Sequence, residues 1–433
     1  MFENGHRRVS NVGVCAMTQT ITLLASGTRG DVQPYLALGI GLRDAGFDVR
    51  IATHANFAAL VASTGLAFAR LADNPSDLFA RPGGEDALRL DWRHPLRNLR
   101  ASLEYWRAAR PVLARLLVSA WRAAQGSDAL VIGLPTLWGE HIAEALHIPH
   151  IRALLQPITP TRDFPSPLLP FTFSFGAIYN RLTHRLVAQM MWLAWRGAID
   201  HWRRATGQLE STPLFHRTGN APTLYGFSPH VVPRPADWTS ESITGYWFLP
   251  ASSNWQPSAE LEKFLDAGAP PVYVGFGSIG VREPAKTLEI IQQALARTGL
   301  RAIISTAHNF VNVRSPENIF SMTDVPHAWL FPRVSVVVHH GGAGTTASGL
   351  RAGVPTIILP LAVDQFFWGR RVAELGVGTS PIPQNKLSVA SLSAALAQAT
   401  GDAEMKTRAK ILAEKISNED GVARAVEFIR AQV

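Results

Sequence analysis

Apolar and polar positions follow two alternating rhythms along this chain. Short runs of strand-forming residues end in glycine or small polar residues, and each gives way to a segment with the period of a helix. The first run, Ile21 to Ala25, ends in Ser26-Gly27-Thr28-Arg29-Gly30-Asp31 and is followed by a helical pattern from about Pro34 to Ala45. A second strand is predicted at Phe47 to Ala52, then a helix through Val61, then a short strand near Leu130 to Gly133. Strands alternating with helices indicate an α/β protein with a parallel sheet.

The rhythm breaks between Arg152 and Ser211, where Pro157, Pro160, Pro165, Pro167 and Pro170 precede a long helical segment carrying Trp192, Trp195 and Trp202. Spacings of three and seven put those tryptophans on one helical face, as core packing or as the wall of an apolar pocket. His230 to Pro257 is dense in Pro, Ser and Trp and is the candidate linker. A second α/β unit then opens: strands at Pro271 to Gly275, Arg301 to Thr306, Val334 to His339 and Thr356 to Leu359, with helices at Pro284 to Arg297 and Thr345 to Ala352. The expected organisation is an extension (1–19), a first Rossmann-like domain (20–235) with a helical insertion near 157–205, and a linker (236–257). A second Rossmann-like domain (258–415) and a C-terminal segment (416–433) complete it. Ligands bind at the carboxyl ends of such sheets, so a cleft between the halves is the expected site.

Composition narrows the class. With 47% hydrophobic and 17% charged residues over 433 positions, the chain is globular and not disordered or fibrous. Its single cysteine, Cys15, excludes an internal disulfide framework and a cysteine zinc cluster, and a reducing, cytoplasmic setting fits. The balance of 41 Lys and Arg against 33 Asp and Glu, a formal +8, is compatible with anionic partners. Between Arg89 and Arg122, however, the basic residues are interleaved with Leu, Trp and Ala, as on the wet face of amphipathic helices. Trp92, Arg93, Leu96, Arg97, Leu99, Arg100, Trp106 and Arg107 could also form a basic apolar surface that touches anionic lipid, while nucleic acid is disfavoured. The longest apolar stretch, Leu186 to Trp195, contains Gln189, is followed by Arg196, and falls short of the roughly 20 residues of a membrane span. Met1 to Thr18 holds Arg7 and Arg8 but no apolar core segment, so it reads as a ragged extension and not a signal peptide, with Met17 as an alternative start.

The candidate chemistry sits where strands run into glycines. Val336 to Thr346, with His339-His340-Gly341-Gly342-Ala343-Gly344-Thr345-Thr346, is a buried-type strand entering a helix N-terminus. There the backbone can approach a phosphate, helix N–H groups favour an anion, Thr345 and Thr346 offer hydroxyls, and His340 offers a ring N–H. His339 reads as structural. Gly275-Phe276-Gly277-Ser278-Ile279-Gly280 matches G-x-G-x-x-G, but no acidic residue follows the next strand, so NAD is disfavoured and a second phosphate or nucleoside contact is expected. Asp364-Gln365 pairs an acceptor with an amide, which suits vicinal sugar hydroxyls, or Asp364 caps a helix. Asp31 is a general base or an N-cap, near a helix start where Pro34 suits the first turn.

Taken together, Gly27-Thr28-Arg29-Gly30-Asp31-Val32-Gln33-Pro34, Val325-Pro326-His327, His339 to Thr346, and Asp364-Gln365-Phe366-Phe367-Trp368-Gly369 resemble the GT-B family 1 glycosyltransferases. Within that family the chain looks most like sterol glucosyltransferases and bacterial antibiotic-tailoring enzymes, from about Thr20 onward. Val363 stands where many relatives have glycine, and Phe366 where the sterol enzymes often have proline.

The resemblance implies an acceptor domain followed by a nucleotide-sugar domain, with a final helix near Gly421 to Ala431 crossing back. Asp31 then takes the place of the catalytic base. His340, Gly342, Gly344, Thr345 and Thr346 take the diphosphate site with Ser278 near the phosphates, Val325 and His327 the nucleoside site, and Asp364 with Gln365 the sugar site. Phe164, Phe171, Trp192 and Trp195 are the candidate acceptor contacts. The implied reaction is a single inverting displacement that moves a hexose, foremost glucose from UDP-glucose, to a hydroxyl of a sterol, other lipid or polyketide. It implies no metal or cofactor, and the sequence has no Asp-x-Asp. A dTDP-sugar-dependent tailoring enzyme and a noncatalytic protein of the same fold are the alternatives.

Overall fold

The computed structural model describes residues 18–74, 95–170, 173–215, 219–250, 255–277, 281, 283–306, 316–323 and 325–433, with backbone alone for 95–103, 105 and 106. The first half forms a seven-stranded sheet from β1 (Thr20–Leu24), β2 (Asp48–His54), β3 (Ala67–Leu71), β4 (Ala129–Ile132), β5 (His150–Leu154), β6 (Thr223–Tyr225) and β7 (Glu241–Ile243). All pairs are parallel and the order is β3-β2-β1-β4-β5-β6-β7. Its helices are α1 (Arg29–Asp44), α2 (Ala58–Ala62), α3 (Pro95–Ala124), α4 (Glu140–Leu146) and α5 (Ala177–Trp202).

The second half carries a five-stranded parallel sheet, order β10-β9-β8-β11-β12, from β8 (Val272–Gly275), β9 (Ala302–Ser305), β10 (Ile319–Met322), β11 (Val336–His339) and β12 (Thr356–Ile358). Around it lie α6 (Ala259–Asp266), α7 (Pro284–Thr298), α8 (His327–Leu330), α9 (Ala343–Ala352), α10 (Gln365–Glu374), α11 (Val389–Gly401) and α12 (Ala403–Ser417). α13 (Gly421–Arg430) returns to the first half and packs on α1, where Arg430 reaches the Ala45 carbonyl at 3.0 Å.

The central strands β4, β8 and β11 are buried at every position, because helices cover both faces of a parallel sheet. Strand order reverses between β1 and β4 in one sheet and between β8 and β11 in the other. The carboxyl ends of these strands are the topological switch points where such sheets bind ligands. Leu154, Tyr225, Phe227 and Trp238 of the first half share one buried cluster with Leu350, Ile358, Phe367 and Trp368 of the second, so the halves meet across an apolar seam.

Two boundaries depart from the sequence reading. The linker expected at 236–257 contains β7, which pairs with β6, and Trp238, which stacks on Tyr225 with ring centroids 4.6 Å apart. Helix α1 begins at Arg29 and not near Pro34, because Thr28 caps it and Asp31 reaches back to the Thr28 backbone. Pro34 therefore sits inside the helix, where its missing N–H leaves the Gly30 carbonyl without its i+4 donor.

Candidate active site

Asp31 is the third residue of α1 and not its N-cap. One carboxylate oxygen, Oδ2, accepts from the Thr28 N–H at 2.8 Å and from the Thr28 hydroxyl at 2.9 Å. Burial pushes the carboxyl above its ordinary range, against these two hydrogen bonds that lower it. Gly27, at φ +122°, lies against that carboxylate so closely that a Cβ would stand 2.6 Å from Oδ2, and only glycine fits there. Two residues that the sequence reading did not single out hold this loop. Buried His54 places Nε2 2.9 Å from the Ser26 hydroxyl and faces the Gly27 N–H, while Asn74 donates to the Gly27 carbonyl at 3.1 Å. Burial lowers His54 to about 4, so its ring is neutral.

Across the cleft, β11 delivers two histidines. His339 is fully buried, and its Nδ1 accepts the Gly341 N–H at 2.9 Å. It shapes the turn, as its strand-end position suggests. His340 packs between Gly277 and Gly342, with Nε2 beside the start of α9. Burial lowers it to about 4, so one ring nitrogen carries hydrogen at neutral pH. Its Nδ1 is buried and has no hydrogen-bond partner among the described residues.

Gly342 caps α9, and the first N–H groups of that helix have no carbonyl partner within it. Thr346 does not offer its hydroxyl to this opening. It is buried and donates back to the Gly342 carbonyl at 2.9 Å, because an i−4 carbonyl is within reach of any helical threonine. Thr345 is half-buried at the mouth. A Cβ on Gly344 would lie 3.8 Å from the Gly30 Cα, so the N-termini of α1 and α9 face one another across the cleft.

The third component leaves β12. Val363 is held at φ +53°, and behind it Asp364 accepts from Trp368 Nε1 at 3.0 Å and from Gln156 Nε2 at 3.1 Å. Asp364 sits at the N-cap of α10, but its side chain makes no capping bond to the helix backbone and is held by Trp368 of that helix and by Gln156 of the first half. Burial, with a smaller contribution from Asp31, raises it to about 6 against the hydrogen bonds from Gln156 and Trp368 that lower it. Gln365 is buried with Oε1 fixed by the Leu361 and Ala362 N–H groups at 2.7 and 3.1 Å, while its Nε2 has no partner among the described residues.

Other expected contacts distribute differently. His327 stacks on Phe331, with ring centroids 4.3 Å apart, and stands beside Tyr273. Val325 is buried in the core cluster that also holds Tyr273 and Phe331. Phe164 lines a cavity of about 310 Å³ at the interdomain seam, with Pro165, Leu169, Val232 and Phe367. Trp192 is not part of that wall. It is buried in the core of the first half, donates to the Pro213 carbonyl at 3.2 Å, and Trp195 packs against the same cluster. The proline-rich loop, not the tryptophan face of α5, meets the cavity. Ser278, Phe171, Trp92 and Arg93 lie outside the described residues. Among the described residues no three His, Cys, Asp or Glu side chains gather as a metal cage.

Comparison with known proteins matches this division into halves. Residues 21–165 match the glycosyltransferase family 28 N-terminal domain, and residues 295–427 match the erythromycin biosynthesis protein CIII-like C-terminal domain. Over 424 residues the chain is 38% identical to a sterol 3-beta-glucosyltransferase of Arabidopsis thaliana, covering 94% of this chain and 64% of that protein. It is 40% identical over 424 residues to a sterol 3-beta-glucosyltransferase of Emericella nidulans, covering 94% of this chain and 30% of that one. The chain thus spans less than two thirds of either curated relative. Among solved structures, the kitacinnamycin glycotransferase superposes with a TM-score of 0.68 at 18% identity, covering 96% of this chain and 99% of that one. The Streptomyces glycosyltransferase SsfS6 complexed with thymidine diphosphate gives 0.63 at 20% identity, covering 95% and 99%. The fold is GT-B, as the resemblance of the motifs implies.

Proposed function

We propose that this chain is a glycosyltransferase that moves a hexose, foremost glucose from UDP-glucose, onto a hydroxyl of a sterol or similar apolar acceptor, with inversion and without a metal. The observation that carries this reading is the meeting of the α1 and α9 N-termini at Gly30 and Gly344, with Asp31 on one side and Asp364 with Gln365 on the other. A dianionic leaving group fits against the unpaired N–H groups of α9 and the Nε2 of His340. The partnerless Nε2 of Gln365 and the carboxylate of Asp364 form a donor and acceptor pair for sugar hydroxyls. Burial makes Asp31 a stronger base than an exposed carboxylate, suited to taking the acceptor proton as its oxygen attacks the anomeric carbon. The glycosidic bond forms as the bond to the diphosphate breaks, and the electron pair leaves with the phosphate. The identity to sterol glucosyltransferases supports the acceptor class, and the cavity at Phe164, whose wall joins Pro165, Leu169, Val232 and Phe367 to Asp163, Arg370, Arg371 and Glu374, is a place for it.

Mass spectrometry of products tests this reading, with UDP-glucose or dTDP-glucose offered over a sterol panel in EDTA. A hexose adduct from UDP-glucose is expected, and Asp31→Asn lowers its rate by about 10²–10⁴ while leaving UDP binding intact. The thymidine-diphosphate complex of a structural neighbour supports a second reading, a dTDP-sugar donor, which an adduct from dTDP-glucose alone establishes. Consumption of neither donor overturns both.

A further inference from the structure

Twelve large apolar side chains are exposed among the described residues, and nine of them fall between 173 and 215. On α5, Ile178, Leu182, Leu186, Met190 and Leu193 recur every three or four residues, within an arc of about 120° on a helix turning 3.6 residues per turn. Ile178 is 80% exposed. The opposite face of α5 holds Thr183, His184, Trp192, Ile199 and Trp202, all buried, so the helix is anchored while the stripe faces outward. Phe173 and Phe175 cluster with Tyr179 at one end of the stripe, at 6.3 and 5.0 Å between rings. At the other end, Gln189 holds the Leu214 carbonyl at 3.1 Å, next to exposed Phe215.

Along α5 itself the exposed charge has one sign, although exposed Glu210 lies beyond its end near Leu214. From Phe164 to Ile199 there is no Asp or Glu, while Arg181, Arg185 and Arg196 are present, and Arg185 is exposed. The two bracketing acids do not answer this charge on the stripe: Asp200 is buried and pairs with Arg196, and Asp163 borders the interdomain cavity. A second copy seated on this face in a two-fold pair would set like charges together with no acid from α5 to compensate them. A surface that is apolar in its interior and anionic at its boundary complements both halves of the pattern. We infer that α5, with its flanking aromatic segment, is a docking face for an anionic lipid bilayer, lying in the plane of the headgroups with the leucine stripe in the acyl boundary.

The placement also connects to the cavity. On the buried side of α5, the His184 ring lies 3.0 Å from the Ile158 carbonyl and 3.1 Å from the Phe164 carbonyl, so the loop that lines the cavity is fastened to the docking helix. An apolar molecule held in the bilayer then lies beside the seam it has to enter, a supply route that rests on the proposed function although lipid binding itself does not depend on turnover.

Co-sedimentation of the full chain tests the inference, with sucrose-loaded vesicles of phosphatidylcholine alone or with a minority of phosphatidylglycerol, at low and at high salt. The chain is expected to pellet with the anionic vesicles and several-fold less with neutral vesicles or at high salt, where charges are screened. Leu182→Gln with Leu186→Gln lowers the partition at least about ten-fold, because two leucines lose their burial in lipid. Arg185→Gln lowers it about five-fold, the worth of one basic residue near an anionic surface. Unchanged melting temperatures show that the exposed substitutions leave the fold intact. Pelleting with neither vesicle overturns the inference, as does a dimer in light scattering that the double leucine variant dissolves. Asp31→Asn pellets like the parent, so loss of turnover and loss of docking remain distinguishable.

Discussion

Val363 holds a β-branched side chain at φ +53°, a region that glycine enters at little steric cost and branched residues rarely occupy. The strained residue stands directly before Asp364 and Gln365, whose side chains meet Gln156 and Trp368 in the one case and the loop after β12 in the other. Relief of about 1–2 kcal/mol of left-handed strain is opposed by the extra unfolded-state freedom of glycine, up to about 1 kcal/mol. Val363→Gly is therefore expected to raise stability by between about 0 and 2 kcal/mol in urea unfolding. Asp364 makes a prediction of opposite character. Its pKa is raised from 3.8 to about 6 on folding, so the native state binds the extra proton, and this group's contribution to stability falls as pH rises from about 4 through 6. Asp364→Asn removes that penalty. Its melting temperature is expected to exceed the parent's by a few degrees above pH 7, with the gap closing below pH 4 in a thermal scan. The pairing of Asp364 with Gln365 is visible in the sequence because the two are neighbours. Gln156 is not, since it lies 208 positions away and meets Asp364 only through the packing of the two halves.

At the scale of elements, the buried parallel strands were the readable part, because strands covered on both faces become continuous apolar runs such as Val336-Val337-Val338. Of the edge strands β12 is readable and β3, β7 and β10 are not, and the interior strands β5 and β6 also escape the sequence pattern. β7 has half-buried residues throughout, so the composition of its neighbourhood suggests a linker where the structure forms a seventh strand. The tryptophans of α5 show the limit of periodicity. It places them on one face but does not say which neighbour that face meets, and the structure turns Trp192 and Trp202 into the core of the first half. α1 and α13 meet through a glycine. A Cβ at Gly41 would stand 2.4 Å from a methyl of Val422. Gly41→Val is expected to push α13 from its seat and cost about 1–3 kcal/mol, as overpacked contacts do. The lower melting temperature that reports this loss is restored in part by Val422→Ala, which clears the space.

For the whole molecule, each half was legible alone, and their mutual placement was not, since no local pattern encodes which loops face each other. What the structure adds is how the polypeptide passes between them. It crosses once after β7 and again between α12 and α13, and the two crossings touch: Gly421 leaves no room for a Cβ beside the Gly245 carbonyl and the Tyr246 carbonyl, and Glu419 accepts from Ser228 at 2.6 Å. A bulkier residue at 421 does not fit without parting the two connections, so a lesion there is felt in both passages of the chain between the halves at once.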